Sequence, residues 1–248
     1  MKILGIIPAR FASTRFPAKA LVDIGGKPMV QRVYEQASKA KLLSKVVVAT
    51  DHDKIKNVLE SFGGQVVMTS ENHPTGTDRC FEALTLQPDD YDYVINIQGD
   101  EPFIHPESID ELAGLLDGHA QLATLVTPFK NSDQLFNPSL MKVIFDKYKN
   151  AIYFSREVVP HLRGVDKSFW AEKHIYYKHV CMYAYRADIL AEITQLGQSP
   201  LELAESLEQL RWIENGYKIK IGLTNKESMS IDTPEDLQRA LKVYGYTE

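Results

Sequence analysis

Cysteine is nearly absent from this chain: Cys80 and Cys181 are the only two, far apart in the sequence. Two thiols so placed make neither a disulfide framework nor a metal-ligand spacing, so both read as buried or incidental. No apolar run approaches the roughly 20 residues of a membrane span. Met1-Lys2 leads directly into a short strand and a polar loop, with nothing resembling a signal peptide. These absences point to the reducing cytoplasm and to a chain with no membrane partner. A broad excess of positive charge is also missing: the net charge of −5 argues against a general nucleic-acid binder. Gly-x-Ser-x-Gly, Gly-x-Gly-x-x-Gly and P-loop motifs do not occur, which removes support from serine hydrolysis, hydride transfer and kinase-type phosphoryl transfer. Internal repeats, low-complexity tracts and clean linkers are lacking as well.

What remains is ordinary globular composition, with 44% hydrophobic and 25% charged residues over 248 positions. Short apolar runs alternate with helical patterns through the first half, the pattern of βαβ units and a parallel sheet. Strands are expected over 3–8, 45–50, 65–69, 93–98 and 122–128, with helices over 28–41, 53–62, 76–86 and 106–116. Asp51 and Thr75 are candidate helix caps. The second half is less regular: strands over 151–156, 179–186 and 218–223, and one amphipathic helix over 201–215. Thr233 with Pro234 reads as the N-cap and first turn of a closing helix. The expectation is an α/β, Rossmann-like fold, its central sheet mostly parallel with helices on both faces. It forms a single domain over 1–248, with a smaller extension over about 130–190.

Two segments carry the chemistry. The first follows strand 3–8, where Arg10, Arg15 and Lys19 fall close together, with Ser13 and Thr14 between them and no acidic residue. Such a loop at a strand's carboxyl end suits a polyanion, most plausibly a nucleoside triphosphate, and Pro17 stiffens it. The second is Gln98-Gly99-Asp100-Glu101-Pro102, where a buried strand ends in glycine and two carboxylates. Open α/β sheets bind ligands at that edge. A carboxylate beside a triphosphate is repelled unless a divalent cation intervenes, so Asp100 is the leading Mg²⁺ ligand, while Glu101 fits a helix cap. Asp232, ending a strand before a capped helix, is either a second ligand or an ordinary helix start. Thr75-Gly76-Thr77-Asp78-Arg79 could read a base or ribose through exposed backbone N–H groups, or be a plain cap. His179 is either structural or, with Arg156, Tyr183 and Glu208, part of a carboxylate- and hydroxyl-binding pocket. His73, His161 and His174 read as structural.

Taken in order, Ile7-Pro8-Ala9-Arg10, Ser13-Thr14-Arg15, Lys19, Ala49-Thr50-Asp51, Gly76-Thr77-Asp78-Arg79, Gln98-Gly99-Asp100-Glu101-Pro102, Tyr153-Phe154-Ser155-Arg156, Leu207-Glu208-Gln209-Leu210-Arg211 and Asp232-Thr233-Pro234-Glu235-Asp236 resemble the signatures of the sugar-acid cytidylyltransferases. The likeness is strongest to members that activate 3-deoxy-manno-octulosonate (Kdo), and it spans nearly the whole chain. It implies a nucleotidyltransferase fold and a reaction in which CTP and Kdo give CMP-Kdo and pyrophosphate with Mg²⁺, for the lipopolysaccharide inner core. It implies a homodimer in the cytoplasm, with the 130–190 extension serving dimerisation and sugar binding. Carried over residue by residue, Arg10, Lys19 and Asp100 would be catalytic. Ala9, Arg10, Ser13, Arg15, Lys19, Gly76, Arg79 and Gln98 would hold the nucleotide, Asp100 and Asp232 the magnesium, and Arg156, His179, Tyr183 and Glu208 the sugar acid. Ala18 stands where such loops commonly carry glycine. The alternatives are a related acid (8-amino-Kdo or sialic acid) and a non-catalytic nucleotide-binding homologue.

Overall fold

The computed structural model of the protein describes residues 1–12 and 16–246. Ser13 and Arg15, both expected at the nucleotide, lie outside the described residues. The chain forms two compact units, one of residues 1–114 with 227–248 and one of residues 115–226.

The first unit is a run of βαβ crossovers. Its strands are β1 (Ile3–Ala9), β2 (Lys45–Thr50), β3 (Val66–Met68) and β4 (Tyr93–Asn96). The helices are α1 (Met29–Ala37), α2 (Asp53–Ser61), α3 (Gly76–Thr85) and α4 (Pro106–Ala113), and the closing helix spans Pro234–Val243. All four strands pair in parallel, in the order β3-β2-β1-β4. β1 is continuously apolar and its Leu4, Ile6 and Ile7 are fully buried, as a central parallel strand covered on both faces requires. The steps from β1 to β2 to β3 run one way and the return to β4 runs the other. Right-handed crossovers therefore put α3 on the face opposite α1 and α2.

That reversal fixes the site. β1 and β4 are neighbours, yet the connections leaving their carboxyl ends diverge, which opens a crevice at a topological switch point. Gly99 shows how close the two edges come: a Cβ there would lie 2.7 Å from the Pro8 carbonyl oxygen. The α3 start is a full capping box of Thr75 and Asp78, as its sequence suggests, and Thr233 caps the closing helix the same way with Asp236.

The second unit contains β5 (Leu122–Pro128), α5 (Ser132–Leu135), β6 (Lys142–Phe145), β7 (Ala151–Ser155), α6 (Trp170–Lys173), β8 (Tyr177–Arg186), α7 (Ala187–Ile193), α8 (Pro200–Glu205), α9 (Gln209–Glu214) and β9 (Ile219–Leu223). β5 pairs antiparallel with β8 and parallel with β9, and β6 pairs antiparallel with β7 and β8. Two expectations need correction here. The helix expected over 201–215 is two helices, because Ser206 sits in the left-handed region at φ 54° and ends α8. At 51–53 the cap of α2 is His52, whose Nδ1 accepts from the Lys54 N–H, and not Asp51. The fold class itself is as expected: mixed α/β with a mostly parallel sheet.

Candidate active site

A cavity of about 290 Å³ lies at the switch point within the first unit. Its walls come from the end of β1 (Ala9, Arg10), the turn at Lys19, the start of α3 (Thr75, Gly76, Arg79), the end of β4 (Gln98, Asp100) and Asp232. Every described residue expected at the nucleotide or the metal therefore faces one cavity. Four separate stretches of sequence supply them.

Lys19 opens a short 3-10 turn, Lys19–Leu21, held by the Leu21 N–H donating to the Ala18 carbonyl at 2.8 Å. Ala18 itself is left-handed, at φ 53° and ψ 31°. The position where glycine is common is thus one that glycine alone occupies without steric cost, and Ala18 bears that cost. The turn directs the Lys19 ammonium between two carboxylates, 2.8 Å from Asp100 Oδ2 and 2.9 Å from Asp232 Oδ1. Burial acts to lower the pKa of this amine, but the Asp100 charge and hydrogen bonds to both carboxylates outweigh it and leave the pKa raised. The Ile231 N–H donates to the Asp100 carbonyl at 2.9 Å, so the segments bearing the two aspartates are joined through backbone. Glu101, expected as a cap, instead accepts from the Ser228 hydroxyl, while His105 occupies the N-cap of α4.

Arg79 is 3% exposed, and its guanidinium is engaged on two sides. Nη2 donates to Asp51 Oδ2 at 2.8 Å and Nη1 to Thr69 Oγ1 at 2.7 Å. Asp51 Oδ1 accepts the Phe11 N–H at 3.0 Å, and the Phe11 ring stacks on His52 with centroids 3.8 Å apart. Sequence reasoning missed this anchor for the first loop. The available signal was that Asp51 ends β2 at the same carboxyl edge as Asp100. At Gly76 a Cβ would meet Pro8 and Asn96 at ordinary distances of 3.6 and 3.7 Å, so packing does not require the glycine.

In the second unit, β8 carries His179 and Tyr183. The β5 partner shifts from Tyr183 (opposite Thr124) to Val180 (opposite Leu125), so Cys181 and Met182 bulge. The bulge keeps His179 and Tyr183 on one face, with ring centroids 5.0 Å apart. Thr124 Oγ1 donates its single hydrogen to a carbonyl of the bulge (Met182 O, 2.7 Å) and lies 2.9 Å from His179 Nε2. Nε2 must then be the N–H donor, which leaves Nδ1 as the acceptor. His179 Nδ1 and the Tyr183 hydroxyl are buried without a hydrogen-bond partner among the described residues. Burial pushes the His179 pKa down to about 3. Burial, then the charges of Cys181, Tyr185 and Glu208, pushes the Tyr183 phenol well above 10.0. Both groups are thus neutral across the physiological range. Arg156 is partly committed to structure: Nε donates to the Glu205 carbonyl at 2.7 Å, and its outer nitrogens reach the Pro138 and Ser206 carbonyls at 3.3 Å.

Two acidic groups suffice for a magnesium ion that keeps water and phosphate oxygens in its shell. Asp100 and Asp232 already converge on one cation, the Lys19 ammonium, so their spacing suits shared ligation. No cluster of three or more metal-ligating side chains occurs among the described residues.

Residues 4–221 match the family described as cytidylyltransferase. The chain is 56% identical to a 3-deoxy-manno-octulosonate cytidylyltransferase of Parabacteroides distasonis over 246 residues, covering 97% of each. A protein of the same description from Geobacter metallireducens is 45% identical, covering 98% of this chain and 97% of its own. Among solved structures, a CMP:2-keto-3-deoxy-manno-octonic acid synthetase complexed with CTP is similar at a TM-score of 0.91 and 38% identity, covering 99% of both chains.

Proposed function

Because this chain belongs to the cytidylyltransferase family, we propose that it transfers CMP from CTP to 3-deoxy-manno-octulosonate, releasing pyrophosphate. The observation that carries this reading is the cavity of the first unit, which gathers Arg10, Lys19, the α3 start and the Asp100–Asp232 pair. Similarity along almost the whole length to proteins of that activity supports the choice of substrates.

The anomeric hydroxyl of the sugar acid attacks the α-phosphorus in line. A new P–O bond forms, the bond to the β-phosphate oxygen breaks, and the hydroxyl proton passes to solvent. Positioning and charge neutralisation supply most of the acceleration. Arg10 and Lys19 offset the negative charge of the triphosphate and of the departing pyrophosphate. Ala9, Gly76, Arg79 and Gln98 surround the base and ribose, with Arg79 held rigid by Asp51 and Thr69. Asp100 and Asp232 would hold magnesium, which supplies polarisation of the α-phosphate when bound. In the second unit, His179 Nδ1 accepts from a sugar hydroxyl, the Tyr183 hydroxyl donates to another, and Arg156 and Glu208 complete the set.

No helix among the described residues is long and apolar enough to cross a membrane. We place the enzyme in the cytoplasm, acting for lipopolysaccharide inner-core synthesis. The homodimer we propose forms through the 130–190 region, where Tyr148, Ile152, Phe169 and Ile175 are exposed.

A coupled pyrophosphate assay with CTP tests the reaction, using Kdo, its 8-amino analogue and sialic acid in parallel. Kdo should give the highest kcat/KM; silence with all three, or preference for another acid, overturns the assignment. Asp100→Asn should lower kcat by about 10²–10³ while leaving the circular dichroism unchanged.

A further inference from the structure

Lys19 has two duties that exclude one another. Its ammonium lies 2.8 Å from Asp100 and 2.9 Å from Asp232, inside the space between the two carboxylates. The side chains of all three are no more than about a third exposed, at 18%, 25% and 32%, so water screens the contact only in part. On the reading of the site proposed above, the same two carboxylates hold a divalent ion and the same ammonium faces the triphosphate. An ammonium and a metal ion cannot both sit between the same oxygens.

The backbone allows the exchange. Asp100 and Asp232 belong to segments joined by the Ile231–Asp100 hydrogen bond, so their spacing persists when the cation changes. Lys19 stands on a different segment, at the end of a flexible four-carbon stem. We propose that Lys19 is the resident counter-cation of the carboxylate pair when nucleotide is absent, and that the triphosphate draws it away. The free protein then binds divalent metal weakly, and the metal site opens as the nucleotide arrives. This inference rests on the nucleotide reading of the cavity. It adds an order of events, nucleotide before or with metal, and it keeps two neighbouring carboxylates neutralised in the empty enzyme.

The test is a titration of the full-length, nucleotide-free protein with Mn²⁺, followed by electron paramagnetic resonance. Lys19→Met removes the charge and keeps most of the stem; Lys19→Gln is the second variant should the first not fold. Either should bind Mn²⁺ about tenfold more tightly than the wild type, or better, since one positive charge no longer competes. The gain should vanish in Lys19→Met combined with Asp232→Asn. Equal or weaker affinity in the folded single variants overturns the proposal. A gain that survives the double substitution overturns it too, because the ion is then bound elsewhere. The titration contains neither CTP nor sugar acid, so its result is separate from turnover. A gain in Mn²⁺ affinity beside a silent pyrophosphate assay would uphold the role of Lys19 and reject the assigned reaction.

Discussion

Ala18 is a residue whose cost can be measured. An alanine at φ 53° carries roughly 1 kcal/mol of steric penalty that glycine escapes. Ala18→Gly should therefore raise the free energy of unfolding by about 1 kcal/mol in urea denaturation, and an unchanged or lower value would contradict the strain. His179 makes a second prediction, with a definite sign. Its folded pKa is about 3, against the ordinary value of 6.5 that an unfolded chain shows. Between those values the unfolded state binds one more proton than the folded state. Stability from this group is thus intact above pH 6.5 and declines as pH falls towards about 3. From pH 6 to 5, wild type should lose about 1.2 kcal/mol more than His179→Asn, measured by denaturation at each pH. Parallel pH profiles would show that the histidine is not held neutral. At this scale the sequence was readable where a charged or small residue follows an apolar strand or opens a helix at the carboxyl edge of the sheet: Lys19, Asp100 and Gly76 all line one cavity. It was unreadable where a side chain serves another. Asp51 passes for a helix cap until Phe11 and Arg79 are seen on its two oxygens.

Among the elements, the parallel half was legible because burial on both faces leaves continuous apolar strands, and because α3 and the closing helix begin with capping boxes whose Thr75 and Thr233 are plain in the sequence. β2 and β5 match their expected bounds fully. The break between α8 and α9 was hidden, since amphipathic periodicity runs straight through Ser206. Its physical reason is a buried ion pair: Arg211 Nη2 lies 2.5 Å from Glu202 Oε1. In one continuous helix two residues nine apart would point to opposite sides, at about 100° per residue. The break also presents Glu205 to the end of β7, where it accepts from the Ser155 hydroxyl at 2.8 Å and the Arg156 N–H at 2.9 Å. The joint between the end of β2 and the start of α3 is the Asp51–Arg79 pair, with side chains 9% and 4% exposed. Asp51→Ala strands a buried guanidinium and frees the Phe11 N–H. It should destabilise the fold by about 3 kcal/mol and raise the KM for CTP, as denaturation and kinetics would record. Loss of stability with an unchanged KM would mean that the loop does not need this anchor.

For the molecule as a whole, assembly is the property with the clearest test. Ile175 is 62% exposed on the second unit. If this region joins two copies, sedimentation should give twice the mass of one chain for the wild type and a single chain for Ile175→Glu. A monomeric wild type would remove the homodimer. The origin of the site's parts has a consequence of its own. Lys19 and Asp100 lie in the first part of the chain, whereas Asp232 comes from the segment that returns to the first unit after residue 226. On the ribosome, a growing chain exposes the lysine and one aspartate long before the second aspartate is made. The strands β1 to β4 can form early, but the carboxylate pair closes only when the last stretch has been synthesised. On the proposed reading of that pair, catalytic competence is deferred to the end of translation, and an interrupted product is inert.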